Sequence, residues 1–264
     1  MIDALYIGAT GMQAQQLNVD TIANNLANVN STGFKKGRVS FADLMVREAS
    51  RLGLAGTEGE TGPLGAVPRL GAGVGVVAVS KLFDMGDMKK TEGALDIAIQ
   101  GDGFLEVAMP DGSRAYTRGG TLKVNREGQL ATQAGYPLKP GITIPDNAQA
   151  IVFGNDGRVQ VRMANQSTLI EVGTLDLVRF ANPQGLSAQG DNLYRGSVAS
   201  GEAIAGRPGE EGMGMIAQGF LEGSNVKMVE EMVNLMIAQR AYEASVKVVQ
   251  ASDEMLGMIN GLRK

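Results

Sequence analysis

A few short motifs in this sequence have residue types that could do chemistry. Gly212-Met213-Gly214-Met215-Ile216-Ala217 has the glycine spacing of a dinucleotide-binding turn, with Ala in the last place. Such a turn works only where a strand leads in and a helix opens on it, so that backbone N–H groups face a pyrophosphate. Here Pro208-Gly209-Glu210-Glu211 leads in and no helical pattern follows, so the match reads as chance. Gly71-Ala72-Gly73-Val74-Gly75 has the wrong spacing for a phosphate loop and no Lys to reach a phosphate. Ser224 and Lys227 could make a Ser–Lys pair, but Ser224 stands where a helix N-cap belongs. Glu58 with Glu60, and Glu210 with Glu211, read as solvated loop acids. Asn30-Ser31-Thr32 and Asn165-Gln166-Ser167 match glycosylation acceptors, but nothing in the sequence directs the chain to a glycosylating compartment.

Composition narrows the chemistry further. The 264 residues include neither His nor Cys, which removes imidazole bases, thiolate nucleophiles, disulfides and zinc–thiolate sites together. Any catalysis would rest on Asp, Glu, Lys, Ser or Tyr. The net charge of -4 argues against a nucleic-acid partner, which needs a basic face to displace counterions. At 44% hydrophobic residues the chain can build a core, and with aromatics at 5% that core is expected from Val, Ile, Leu, Met and Ala. No cofactor is implied. No run approaches the roughly 18 apolar residues of a membrane helix. The start, Met-Ile-Asp-Ala-Leu-Tyr, lacks a basic region followed by an apolar one, so a cleaved secretory signal is not expected.

What remains is architecture. From Asn18 to Asn30, and again from Asn225 to Leu256, there is no Gly or Pro. In the first region Leu5, Met12, Val19 and Leu26 fall at heptad spacing, with Ile22 and Val29 on the neighbouring seam position. In the second, Met228, Leu235, Tyr242, Val249 and Leu256 repeat in the same way, joined by Met232 and Val246. Polar Gln15, Gln239 and Asp253 interrupt the seams, which weakens a solitary packing but helps fix register. A helix from about Ile2 to Asn30 would be roughly 40 Å long, with Gly33 suited to a left-handed stop. Ser224 or Asn225 can cap the second helix, and Arg263 with Lys264 suit its end. The plainer alternative is two amphipathic helices packed on one globular core.

Between the helices the period changes to two. Ala94–Gln100, Phe104–Val107, Ala150–Phe153 and Val172–Phe180 read as strands, and Asp102-Gly103, Asp111-Gly112, Glu127-Gly128 and Asp156-Gly157 as hairpin turns. The expected class is α+β: paired, coiled-coil-like N- and C-terminal helices around an antiparallel β-rich middle domain. The expected division is 1–35 with 224–264 as a terminal helical assembly domain, 36–92 as an extended arm or hairpin with connecting strands, and 93–223 as a β-rich outer domain. The Gly-rich stretch from Ser50 to Gly75, with Gly53, Gly62, Pro63, Pro68, Gly71 and Gly73, reads either as a mobile surface loop or as an arm ordered by neighbours. The methionines of the second helix read as core filler or as an adaptable interface.

Several motifs resemble one family in the right order along the chain. Ala23-Asn24-Asn25-Leu26-Ala27-Asn28-Val29-Asn30-Ser31-Thr32-Gly33-Phe34-Lys35 is similar to the N-terminal signature of bacterial flagellar axial proteins, the rod, hook and hook-associated subunits. Gln100-Gly101-Asp102-Gly103-Phe104-Leu105 and Tyr116-Thr117-Arg118-Gly119-Gly120 resemble strand motifs of the rod and hook branch. Glu222-Gly223-Ser224-Asn225-Val226 and Gln239-Arg240-Ala241-Tyr242-Glu243-Ala244 resemble its C-terminal signature. Length and the developed middle region place the resemblance nearest the distal end of the rod, with another rod subunit or a hook-type protein as the alternative.

The resemblance implies a non-catalytic subunit that polymerises helically into a rigid tube between motor and hook. It implies partners among copies of itself, other rod subunits, hook protein, the surrounding L- and P-ring proteins and the export apparatus. It implies a place in the basal body across the periplasm, reached without a cleaved signal. The Gly-rich arm corresponds to a segment associated with stiffness, although the chain departs from the family between Met45 and Leu64. The seam residues named above would then be the assembly interface, ordering as copies join. An enzyme working through an acid pair in a pocket, and a coiled-coil adhesion module, are the competing classes.

Overall fold

The computed structural model of the chain describes residues 2–47, 69–164, 168–210 and 212–262. Two helices and eighteen strands are found among them, and the class is α+β. α1 spans Ile2–Ala27 and α2 spans Met228–Leu262, with Glu230 and Glu231 in the first turn of α2, where the helix dipole favours acids. The chain divides into two compact units. One comprises Met1–Leu26, Gly37–Ser80 and Met228–Lys264; the other comprises Ala27–Lys36 and Lys81–Lys227.

In the helical unit α1 meets α2 through glycine. A Cβ on Gly8 would come within 2.7 Å of Val249 Cγ2, and one on Gly11 within 3.2 Å of Ser245 Oγ. Such close approach leaves room only for small partners. The most buried residues of α2 are Glu231, Ala238 and Ser252, which share a heptad register with Ser245; the last two and Ser245 are small, while Glu231 accepts a hydrogen bond from Asn25. Those of α1 include Gly8, Ala14, Ile22 and Asn25. The buried line on α2 is thus displaced from the apolar heptad read in the sequence. Met228, Met232 and Tyr242 of that heptad are exposed, and Leu235, Val246, Val249 and Leu256 are half-buried. Gln239 and Asp253, expected inside the seam, are exposed as well.

A two-stranded ribbon, Gly37–Arg47 paired with Arg69–Lys81, completes this unit. Gly71 and Gly73 lie in its second strand, so the end of the Gly-rich stretch is paired strand. Gly73 (φ +106) presses on α1: a Cβ there would overlap Thr10 Oγ1, which accepts the Val74 N–H at 3.4 Å. Gly53, Gly62, Pro63 and Pro68 lie outside the described residues, as do Arg263 and Lys264.

The β unit is antiparallel in every pairing between its strands, because its short runs are joined by tight turns. One sheet is ordered 187–190, 193–195, 114–117, 104–108, 177–179, 204–206, with 138–139 also pairing 104–108. A second is ordered 215–218, 96–100, 119–124, 130–132, and a third 148–153, 158–163, 169–174. Strands 88–90 and 220–222 pair separately. Ile97, Ile99, Leu105, Val107, Leu130, Val159, Val161, Leu175 and Leu177 belong to the main core. Strand 96–100 is buried on both faces rather than alternating, since it is a central strand.

Some expectations need correction. The core is not solely aliphatic: Phe83, Phe104, Tyr116, Phe180 and Tyr194 form a second cluster of edge-on rings, with centroids 4.8 Å apart for Tyr116–Phe180. Asp111-Gly112, Glu127-Gly128 and Asp156-Gly157 do turn hairpins, but Asp102-Gly103 carries the chain from one sheet into another. Val172–Phe180 is two strands, Leu169–Thr174 and Leu177–Arg179, broken where Leu175 sinks into the core. α1 ends at Ala27, well before Gly33, because Asn28–Phe34 forms successive turns, with Ser31 N–H on Asn28 O and Phe34 N–H on Ser31 O. Gly214 leads into a strand and lies flat on the Gln100 backbone, which explains its lack of a side chain without any phosphate.

Candidate functional site

Three of the family-like motifs meet at one buried ion cluster in the β unit. Lys35 leaves the turns after α1 pointing inward. Arg118 lies between strands 114–117 and 119–124, and Glu222 ends strand 220–222. All three side chains are at most 3% exposed, so the interaction is fully desolvated. Lys35 Nζ donates to Glu222 Oε1 at 2.7 Å and to Asp84 O at 2.6 Å. Arg118 Nε donates to Glu222 Oε2 at 3.1 Å, and its Nη atoms donate to Gly103 O at 2.7 Å and Ile99 O at 3.3 Å. The Gly86 N–H adds a bond to Glu222 Oε1 at 3.0 Å. Each carboxylate oxygen is therefore engaged, as burial of a charge requires.

The charges settle each other. Burial pushes the Glu222 carboxyl up, but Arg118 and then Lys35 outweigh it and hold it below its ordinary value. Burial pulls the Lys35 ammonium down more than Glu222 raises it. Tyr194, buried nearby, is pushed up by the same desolvation and by Glu222.

Backbone ties surround the cluster. Gly33 (φ +69) donates its N–H to Glu222 O at 2.8 Å, a direction only that left-handed turn supplies. The Asn225 side chain accepts the Lys36 N–H at 2.8 Å and donates to Leu82 O at 2.9 Å and Asp84 O at 3.2 Å. Asn225 is thus not a helix cap, and Ser224 Oγ instead accepts the Val226 N–H at 3.3 Å, ahead of α2. Phe34 is buried beneath the Lys81 ammonium, 4.3 Å from its ring centroid.

Asn25 does comparable work in the helical unit. Its amide pairs with Gly37 as a strand would, donating to Gly37 O at 2.9 Å and accepting the Gly37 N–H at 2.8 Å. The second amide hydrogen goes to Glu231 Oε2 at 3.2 Å, so one buried side chain joins α1, the ribbon and α2. Asn24 is exposed, while Asn28 accepts the Ser31 hydroxyl at 3.1 Å.

Of the other seam residues, Leu5, Met12, Val19 and Leu26 are half-buried and Ile22 is buried in α1, while Val29 falls in the turns of the β unit. α2 exposes a broad apolar face that includes Val229, Met232, Val233, Met236, Ile237, Met255, Met258 and Ile259. Its methionines are therefore not core filler. A cavity of about 710 Å³ in the β unit is lined by Phe83, Asp84, Met85, Asp102, Pro183 and Met215, among others. Sequence reasoning quoted Lys35, Arg118 and Glu222 within motifs without giving them roles. An acid closing the apolar Phe220-Leu221 run was the available signal. It also missed the heptad of Glu231, Ala238, Ser245 and Ser252.

Comparison with known proteins decides what this arrangement belongs to. Residues 5–35 match a model described as flagella basal body rod protein. Residues 98–161 match the flagellar hook protein FlgE/F/G D1 domain, and 217–262 the flagellar basal body rod FlgEFG protein C-terminal region. The flagellar basal-body rod protein FlgG of Borreliella burgdorferi is 46% identical over 266 residues, covering 100% of both chains. The chain belongs to the FlgG family of flagellar basal-body rod proteins. FlgG of Caulobacter vibrioides is 43% identical, with 99% of this chain and 100% of the relative covered, whereas FlgF of the same organism is 36% identical over 98% and 100%. FlgG family members are structural subunits of the distal rod and not enzymes, so the carboxylates lining the 710 Å³ cavity call for no reaction.

Proposed function

We propose that this distal rod subunit polymerises helically through its two terminal helices, forming a rigid tube between motor and hook. The observation that carries the reading is the exposed apolar face of α2, with Met232 at 52%, Ile237 at 62% and Met258 at 62% exposure, in a full-length match to rod proteins. A surface of that extent on one helix marks an interaction site, and apolar burial at about 25 cal/mol per Å² drives association. A helical polymer needs heterologous, non-closing contacts, to which the long exposed stripe of α2 contributes one face.

In this reading residues 1–35 and 224–264 form the assembly domain, 93–223 the outer domain, and 36–92 the arm that stiffens the rod, with Gly53, Gly62, Pro63, Pro68, Gly71 and Gly73 on it. Leu5, Met12, Val19, Ile22, Leu26 and Val29 pack in coiled-coil fashion with Met228, Met232, Leu235, Tyr242, Val246, Val249 and Leu256 of the same or neighbouring copies. Other rod subunits, hook protein and the L- and P-ring proteins are the further partners. The basal body within the periplasm is the site, reached through the flagellar export apparatus. Negative-stain electron microscopy of concentrated purified protein is the test. Straight tubular filaments are expected, and a preparation that stays monomeric at every concentration overturns the reading.

A further inference from the structure

We infer that the Lys35–Glu222–Arg118 cluster is a register pin, selecting one alignment of the chain passages that enter and leave the β unit. Those passages end at residues 27, 36, 81 and 227. Every one of the segments carrying the last three is tied to the cluster or to its neighbours. Gly33, Lys35 and Lys36 bond to Glu222, Asp84 and Asn225; Leu82 N–H bonds to Lys36 O at 3.0 Å; and Lys81 Nζ bonds to Lys35 O at 2.9 Å.

The chemistry of the cluster fits selection better than adhesion. Two cations and one anion are buried together, so a positive charge is left over, met by the carbonyls of Asp84, Gly103 and Ile99 and by the nearby Asp84 carboxylate. Desolvating three charges in this way is costly, and packed apolar side chains of similar volume hold a core at least as well. What apolar side chains cannot do is reject a shifted alignment. If the segment of Lys35 slides so that Phe34 faces Glu222, a buried charge loses its partner; if Lys36 faces it, the charge is met but the Gly33 N–H loses Glu222 O and the Lys36 N–H loses Asn225. The pin therefore penalises wrong registers far more than it favours the right one.

Such a pin has a consequence for assembly that rests on the rod reading: copies joined through segments emerging at 36 and 227 repeat faithfully only if those exits are identically spaced. Three variants of the full chain separate the possibilities. Glu222→Gln strands two buried cations and is expected to lower the melting midpoint by roughly 10 °C or more. The matched triple variant Lys35→Met, Arg118→Met, Glu222→Leu is expected to melt within a few degrees of the native chain. It is also expected to lose unique alignment, seen as doubled or broadened amide resonances for residues 33–37, 81–87 and 220–226. Lys35→Arg alone, which keeps the charge, is expected to keep single resonances.

A triple variant with one sharp set of resonances overturns the pin. So does a triple variant that does not fold, because the cluster would then be a source of stability. These readouts are taken on the monomer, so they stand apart from the rod reading. Swarming of cells carrying the triple variant tests the assembly consequence separately: loss of swarming with doubled resonances supports it, and full swarming with doubled resonances overturns it.

Discussion

Lys35 and Glu222 lie 187 positions apart in the chain and form a 2.7 Å ion pair with no solvent access, Arg118 closing it from the other side. The pair joins a residue beside the N-terminal helix to one beside the C-terminal helix, wholly within the β unit. Its pH behaviour follows from the direction in which Glu222 is shifted.

Because the Glu222 carboxyl is held below its ordinary value of 4.5, it contributes stability that is fully present above that value. That stability is lost as pH falls through the lower, folded value. Lys35 works in the opposite sense: its ammonium is lowered, so its contribution grows only as pH rises toward 10.5. Urea denaturation between pH 7 and pH 3 should show a falling midpoint with acidification. The acid dependence should be shallower in the triple apolar variant.

Asn25→Ala leaves the buried N–H and carbonyl of Gly37 without their partner and removes a donor to Glu231. A loss of about 2–3 kcal/mol is expected, measured by urea denaturation followed at 222 nm. Asn25→Asp should also destabilise, since it removes the donor to Glu231 and sets a second carboxylate against it.

Gly8→Ala should force α1 and α2 apart, because its new methyl meets Val249 Cγ2 at 2.7 Å. A cost of about 1–3 kcal/mol is expected for such overpacking. Pairing it with Val249→Ala should recover part of the loss, and thermal melts of the two single variants and the double variant give the coupling.

Gln218 completes the edge of the third sheet, accepting the Phe153 N–H at 3.1 Å and donating to Ile151 O at 2.8 Å and Ala94 O at 2.7 Å. Gln218→Leu should cost about 2–3 kcal/mol. Amide hydrogen exchange should speed up at Phe153, while Val161 in the sheet centre should change less.

Met232→Ser with Ile237→Ser removes apolar surface from two side chains that are more than half exposed. Monomer stability should move by no more than about 0.5 kcal/mol, while filament yield in sedimentation should fall at least tenfold. Equal filament yield would count against α2 as the assembly face.

The periodicities were readable because they follow directly from how helices and strands expose side chains. The two terminal helices and the hairpin turns at Asp111-Gly112 and Asp156-Gly157 were therefore plain in advance. The α1–α2 contact was not, because an apolar heptad marks any buried or interacting face without saying which partner covers it. Gly8 and Gly11 add no apolar side chain to a heptad pattern, yet close backbone approach is what they permit. Arg118 and Glu222 were legible only as parts of motifs. Glu222 pairs with both Arg118 and Lys35, and contacts across 104 and 187 positions leave no local pattern. The sheet change at Asp102-Gly103 was hidden for a similar reason: the same dipeptide suits a hairpin and a corner.

Gly8 and Val249 meet although 241 residues separate them (249 minus 8). A contact of such range carries a large closure entropy and forms slowly. It also cannot begin until nearly the whole polypeptide has been made, so the helical unit is the last part of the chain able to mature. A molecule whose two helices must find each other at so late a stage keeps both of them unattached while the β unit takes shape.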